Sequence, residues 1–567
     1  MIARDLARLA DPYDVVVVGG GITGVCVARE AAGRGLRTLI IDKSDFGHGT
    51  SAATSKLIHG GIRYLETYEF AVVRESLRER RVLALAAPHL VSQQRFLMPA
   101  WRWSKPNTAL IGAGVGLYTA LGFDRNRHMP RPMRIPLPRW VGRQQLLQAV
   151  PWIDPDGLQG AFAYHDTFNL HPERLLLALL QSAVDAGAQA CNHIEATGFV
   201  TASDADGSVS VQGVEVVDRL SGATHRIAAR TVVNAGGPWM DLVLERLGRP
   251  MGVTVNRSKG VHLLTTPVGG AGQVTDTVFA RARSGRHVIV SPWQGYSFIG
   301  PTDTPVDDTP DTVRADHDDV ELILQTVNDT ISGGHRKLTV DDIEATTVGV
   351  RPLISQGGKD SYTTSRRHEL YDHAPSGVRN LWSIGGGKWT TGRALGHETV
   401  VALLGSAALR GVATRRFDSR REPVSSAFGW AEDAAPFLAQ AAAARPSLGL
   451  GADTMLHLAR LYGTEYVRVL DLVERDPRLG QRLSDRPERL DIAAQAVFAV
   501  THESACTLAD VIDRRLVLGT LGQVDRTDVE RVAVVVAPVL GWSVEQAAAA
   551  VEAELARRAA IVARWRR

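Results

Sequence analysis

Asp14 to Lys43, DVVVVGGGITGVCVAREAAGRGLRTLIIDK, narrows most sharply what this chain can fold into. Val15 to Val18 is a short β-branched run that suits a buried strand. Gly19, Gly21 and Gly24 follow in G-x-G-x-x-G spacing. Gly19 permits the tight turn, Gly21 lets a pyrophosphate approach the backbone, and Gly24 lets the next helix pack close to the sheet. That helix runs roughly from Ile22 to Gly33, with its N-terminal N–H groups turned towards an anion. Leu39 to Ile41 makes a second strand, and Asp42 closes it with a carboxylate able to accept hydrogen bonds from ribose hydroxyls. NAD and FAD sites share this motif, and its place near the N-terminus of a long chain favours FAD. A βαβ unit without a ligand is the alternative reading.

The chain has 567 residues, enough for two to four domains, and at 44% hydrophobic and 22% charged it is globular. A formal charge of +3 is too small to imply nucleic acid. Cys26, Cys191 and Cys506 match no metal or redox spacing, so no metal is expected and a reducing cytosol fits. Met1 to Ala10 lacks the apolar core of a signal peptide. No apolar run reaches the roughly 18 residues that a spanning helix needs. The nearest, Ala109 to Phe123, reads as a buried or surface-lying helix.

Thr50 to Glu66, TSAATSKLIHGGIRYLE, begins with small hydroxyl residues and continues with Lys56, His59, Arg63 and Tyr64. It can bond a cofactor and then deliver cations to a substrate, or it is a loop leading into a helix with Arg63 solvated. Arg125 to Arg143 holds six arginines, four prolines and no acid, which disfavours a packed element. It reads as a basic loop facing anionic phospholipid or as a solvated insertion. The strand Thr231 to Val233 runs into Asn234-Ala235-Gly236-Gly237, and Leu381 to Ile384 runs into Gly385 to Gly387 and Lys388. Both repeat the strand–glycine plan of an anion site. Met251 to Pro305 is strand-rich and carries Lys259, His262 and Thr302. A lone histidine in a strand is ordinarily a satisfied core residue. Arg351, in TVGVRPLI, calls for either a buried salt bridge or an anionic ligand.

From Gly405 onward, alanine, leucine and arginine dominate with helical periodicity, which predicts a separate helical domain. Candidate helices are Ala431 to Ala444, Leu456 to Leu470, Arg486 to Ala505, Leu508 to Arg515, Thr527 to Leu540 and Ser543 to Arg564. The terminal Trp565 and its arginines favour the helix dipole or a lipid interface.

Taken together, VVVVGGGITGVCVARE, TSAATSKLIHGGIRYLE, TVVNAGGPW, KGVHLL, IGPTDT, VGVRPL, IGGGKWTTGRA and AVTHESACTLADVIDRRLVLG carry a likeness. The chain resembles the FAD-dependent glycerol-3-phosphate dehydrogenases of the quinone-linked, aerobic type. The resemblance implies an α/β fold: a Rossmann-like FAD domain of the glutathione-reductase type, an inserted β-rich substrate domain and an all-α C-terminal domain. On that plan residues 1–404 bind cofactor (about 12–90, 160–250 and 378–404) and substrate (about 91–159 and 251–377), and 405–567 are helical.

It also implies oxidation of sn-glycerol 3-phosphate to dihydroxyacetone phosphate, by hydride transfer from C2 to flavin N5 of non-covalent FAD. Electrons would pass to a membrane quinone. The expected setting is a homodimer on the anionic inner face of the cell membrane. His262, Arg351 and Lys388 take catalytic roles, and Arg63, Tyr64, Thr302 and Arg366 contact substrate. Gly19, Gly21, Gly24, Asp42, Lys43, Thr50, Ser51, Ser55, Lys56, Leu57 and His59 contact the cofactor, with Ala196, Gly236, Gly387 and Thr390. The alternatives are an oxygen-using oxidase, a flavin amine or amino-acid oxidase of the same fold, and a membrane-surface flavin-binding scaffold.

Overall fold

The computed structural model describes residues 1–270, 275–354, 368–428 and 433–566. The chain opens with β1 (Tyr13–Val18), α1 (Ile22–Gly33) and β2 (Thr38–Ile41). It continues through β3 (Leu57–Ile58), α2 (Phe70–Ala86), β4 (Val91–Trp101), α3 (Thr108–Leu121), β5 (Arg139–Gly142), α4 (Arg143–Ala149) and β6 (Leu158–Asn169). Next come α5 (Pro172–Asp185), β7 (Gln189–Cys191), β8 (Ile194–Ser203), β9 (Val209–Asp218), β10 (Thr224–Asn234) and α6 (Met240–Glu245). Then β11 (Val255–Thr265), β12 (Thr277–Arg281), β13 (His287–Trp293), β14 (Tyr296–Gly300), β15 (Thr304–Val306), α7 (His317–Asn328) and β16 (Ile343–Ile354) follow. The two-layer part ends with β17 (Glu369–Asp372), β18 (Val378–Arg379), β19 (Leu381–Gly385) and α8 (Gly392–Gly405).

Two sheets carry the site. The first runs β17-β19-β10-β1-β2-β7, with β8, β9 and β18 attached. Its centre is parallel, with Val15 opposite both Thr38 and Thr231 and Val233 opposite Trp382. Both faces are covered, so Val15, Val16 and Val17 are fully buried and read as a continuous apolar run. The register brings the carboxyl ends of β1, β10 and β19 side by side, so the three strand–glycine turns meet at one edge. The second sheet runs β15-β11-β14-β13-β12-β4-β6-β3, with β16 on β11 and β5 on β6. The two meet where the loop after β2 lies on β16: the Thr50 hydroxyl donates to the Val350 carbonyl at 2.6 Å.

The Arg125 to Arg143 segment departs from the expectation of an unpacked loop. Its end is strand β5, paired with β6, and the Asn126 side chain bonds the Ile135 amide (2.7 Å) and carbonyl (2.9 Å). α3 lies on the surface. Beyond α8 the described chain is helical: α9 (Ala434–Ala442), α10 (Ala452–Tyr462), α11 (Tyr466–Arg475), α12 (Ala493–Glu503), α13 (Leu508–Asp510), α14 (Arg526–Leu540) and α15 (Val544–Trp565). The predicted helix over Leu456 to Leu470 is two helices, broken at Gly463 (φ +54°), where a Cβ would overlap the Ser426 carbonyl. The predicted helix from Arg486 starts only at Ala493, because Arg489 turns inward to Asp528 (3.0 Å) and the carbonyl of Gly522 (2.5 Å). Trp565 does not face a lipid interface. It is buried in the core of the second sheet, beside Ile323 and Val327.

Candidate active site

A cavity of about 710 Å³ lies between the two sheets. Its cradle end is made by Gly19, Gly21, Asp42, Ala196, Gly236 and Gly387. The glycines there answer to close approach. A Cβ on Gly19 (φ +112°) would stand 2.5 Å from the Ala235 carbonyl oxygen, and one on Gly24 would overlap the Gly19 carbonyl. Gly24 therefore acts by packing α1 against the turn, and it does not line the cavity. The Asp42 carboxylate accepts from the amides of Gly20 (2.6 Å) and Ser44 (2.8 Å), and burial pushes its pKa up. Ser51 accepts from the Ile22 amide at 2.9 Å, which fixes the first turn of α1 against the hydroxyl loop. Lys43 sits at the rim, paired with Asp311 at 2.7 Å above the Trp239 ring. These open backbone groups, a helix N-terminus and a half-buried acid fit a dinucleotide's pyrophosphate and ribose.

The other end is cationic. Arg63, Tyr64, His262, Arg351 and Lys388 all line it. Arg63 and Tyr64 lie on a 3₁₀ turn, Ile62–Leu65, entered through Gly61 at φ +77°. Lys388 stands in the β19–α8 turn, its Nζ 4.5 Å from the centre of the Tyr64 ring. On β11 the period of two puts Ser258, Gly260 and His262 on one face. Arg351, opposite Ser258 on β16, reaches across Gly260, where a Cβ would overlap its Nη2. Its guanidinium donates to the Thr302 carbonyl (2.9 Å) and pairs with Asp303 (3.2 Å). His262 Nε2 lies 2.8 Å from the Ser55 hydroxyl, and the ring stacks on Phe298 at 4.9 Å. Burial, then Arg351 and Lys56, lower its pKa to about 3, so it is a neutral imidazole. Its Nδ1 has no hydrogen-bond partner among the described residues.

The family model for FAD dependent oxidoreductases matches residues 14–401, and that for the C-terminal domain of alpha-glycerophosphate oxidase matches 408–547. A glycerol-3-phosphate dehydrogenase of Synechocystis sp. is 37% identical, covering 89% of this chain and 88% of its own. The chain belongs to the FAD-dependent glycerol-3-phosphate dehydrogenase family. An aerobic member from Staphylococcus epidermidis is 28% identical over 89% of this chain and 86% of its own. The solved glycerol-3-phosphate dehydrogenase of Bacillus halodurans, complexed with FAD, superposes with a TM-score of 0.77 at 26% identity. That superposition covers 98% of this chain and 96% of the other. FAD is the cofactor of the family, and the cradle above fits it.

Within this dehydrogenase family scaffold, several expected residues take other places. Lys56 does not line the cavity: its ammonium is buried 3.9 Å from Glu173 and 4.3 Å from the Trp293 ring. The Thr302 hydroxyl accepts from the Val261 amide (2.9 Å) and donates to Asp319 (3.4 Å), so it has no proton left for a substrate. Its part is the carbonyl that orients Arg351. Lys259 faces away to Asp316 and Asp319, both at 2.6 Å. Arg366 lies outside the described residues. Thr50, Ser51, Ser55, Leu57, His59 and Thr390 line the cavity. Sequence reasoning missed Asp303, the counter-ion of Arg351, and the Arg281, Arg286 and His287 hairpin at the mouth. Burial, with Arg281 and Arg63 nearby, lowers His287 to about 4. No motif marks that hairpin. The alternation through Ser258, Gly260 and His262 did offer a signal for the face of β11.

Proposed function

We propose that this chain oxidises sn-glycerol 3-phosphate to dihydroxyacetone phosphate and passes the electrons to a membrane quinone. The observation that carries the reading is convergence: Arg63, Arg351 and Lys388, from three distant segments, line one end of a cavity whose other end is the FAD cradle. A dianionic ester needs several converging cations in a site shielded from water. Bound non-covalently, FAD supplies the hydride acceptor. The chain's own groups do the rest. Arg63 and Lys388 hold the phosphate with Tyr64 beside them. Arg351, held by Thr302 and Asp303, favours the alkoxide form of the C2 oxygen. His262, neutral at working pH, accepts the hydroxyl proton. Anaerobic mixing with glycerol 3-phosphate is expected to bleach the visible flavin band, while a D-amino acid leaves it unchanged. Bleaching by the amino acid alone would overturn the reading. Peroxide release that outruns quinone reduction in air would instead assign oxygen as the acceptor.

The quinone reading includes attachment to the inner face of the cell membrane. No described helix is long and apolar enough to cross a bilayer. α3 instead carries no charge and exposes Leu110 (61%) and Leu117 (41%). Phe123, Leu137 and Trp140 are exposed in the residues that follow, in the same stretch as the exposed Arg127, Arg131, Arg134 and Arg139. The acid there, Asp124, is held by Arg74 (2.8 Å) and Arg81 (3.2 Å). Such a rim would repel a second copy of itself and suits an anionic bilayer. Co-sedimentation with phosphatidylglycerol vesicles, weakened by salt and by Leu110→Glu with Leu117→Glu, is expected. Binding that survives both Arg131→Glu and Arg134→Glu would remove the arginines from that role.

A further inference from the structure

We propose that the helical domain completes the cofactor site by clamping Asp45 with Arg514 and Arg515, so that FAD affinity and domain docking are reciprocally coupled. The proposal depends on FAD occupying the cavity, and is independent of which alcohol is oxidised. The loop that leaves β2 lines the cavity with Asp42, Gly47, His48, Thr50 and Ser51. Its centre, Asp45, points the other way and is fully buried. Arg515 grips that carboxylate with two nitrogens, at 2.7 and 2.9 Å. Arg514 adds a third donor at 2.5 Å, and the Asn192 amide a fourth at 3.0 Å.

The two arginines close a π-helical turn, Val511–Arg515, of the kind that recurs at functional positions. Each is held from its own domain: Arg514 by Asp510 at 2.7 Å and Arg515 by the Glu503 carbonyl at 2.9 Å. Asn192 in turn donates to the Ser504 carbonyl at 2.7 Å. Four donors from three side chains thus fix one carboxylate, and backbone bonds relay its position to the cavity wall. The His48 amide donates to the Asp45 carbonyl at 3.2 Å, and the Gly47 amide to Gly20 at 3.0 Å. Gly20 lies between the first two glycines of the nucleotide turn. The guanidiniums hold the Asp45 carboxyl well below the ordinary range, so the pair stays charged at any working pH. Removing one partner would strand a buried charge on the loop that lines the cavity.

If the domain orders that loop, a cofactor resting on the loop must favour docking by the same factor. The test titrates full-length apoprotein with FAD and follows hydrogen exchange over residues 503–518 with and without it. In the unaltered chain FAD is expected to slow exchange there. Asp45→Asn and Arg515→Gln are expected to weaken FAD binding at least tenfold and to erase that slowing, while KM for glycerol 3-phosphate at saturating FAD stays within twofold. Variants that melt earlier, yet keep FAD affinity within twofold and the slowing intact, would reduce the clamp to a stability contact and overturn the proposal. Should either variant fail to fold, Arg515→Lys keeps the charge, loses the two-pronged grip, and is read by the same two measurements.

Discussion

At the scale of single residues, Arg351 and Thr302 separate the proposed substrate contact from the group that positions it. Arg351 is a half-exposed cation whose orientation Thr302 and Asp303 fix. Arg351→Gln is expected to lower kcat/KM about 10²- to 10³-fold, the scale for losing a positioned donor to developing charge. Retained flavin absorbance would show that the site is otherwise intact. Thr302→Val is expected to leave KM within about twofold and to cost about 1–3 kcal/mol of stability, because it strands the Val261 amide. A large rise in KM would return that hydroxyl to the substrate. The sequence marked Arg351 through the cost of burying a lone guanidinium, and it marked Thr302 through likeness alone. It could not show which atom of Thr302 matters, since backbone and hydroxyl look the same in a string of letters. Lys56 illustrates the same limit: only the fold shows a side chain turned away at φ +55°.

At the scale of elements, the turn His59-Gly60-Gly61 and helix α3 act together. The Tyr118 hydroxyl accepts from the Gly60 amide (2.8 Å) and donates to Asp166 (2.6 Å), which Arg80 holds at 2.7 Å. All three side chains are buried. Tyr118→Phe leaves two buried partners unsatisfied, at about 1–3 kcal/mol each. It is expected to raise KM for glycerol 3-phosphate, since Arg63 and Tyr64 follow that turn. Steady-state kinetics with an unchanged FAD dissociation constant would confirm the route, and an unchanged KM would refute it. That α3 is a helix was legible in the sequence from its apolar run. Its link to the glycine turn was not, because the two lie 58 positions apart in the chain and only the fold brings the Tyr118 hydroxyl to the Gly60 amide.

For the whole molecule, acid sensitivity follows from buried neutral histidines. His89 and His262 are both lowered to about 3 by burial. The unfolded chain titrates them near 6.5, so between about pH 3 and 6.5 it binds more protons than the folded chain. Stability therefore rises with pH across that window, by up to about 1.4 kcal/mol per unit for each histidine, and the gain is complete above it. Urea midpoints between pH 5 and 7, where most carboxylates stay ionised, should show the slope. His262→Asn should lower that slope by one histidine's share, and an equal slope in that variant would refute the assignment. Trp565 ties the last helix into the second sheet, which no local pattern announced. Trp565→Ala is expected to cost about 3–5 kcal/mol, read as a lowered unfolding midpoint.

Legible in the amino-acid sequence were the nucleotide-binding unit, the three strand–glycine turns, the helical character of the chain beyond Gly405 and the identities of most cavity-lining cations. Each of these rests on local chemistry: a glycine where the backbone must come close, a β-branched run where a strand is buried on both faces, an apolar period where a helix packs. Tertiary structure alone decided which polar groups face the cavity and which serve as struts, and that the helical domain reaches the cofactor loop through Arg514, Arg515 and Asp45. Those outcomes depend on partners hundreds of residues apart, and burial, register and pairing fix them only once the sheets and the helical domain have met.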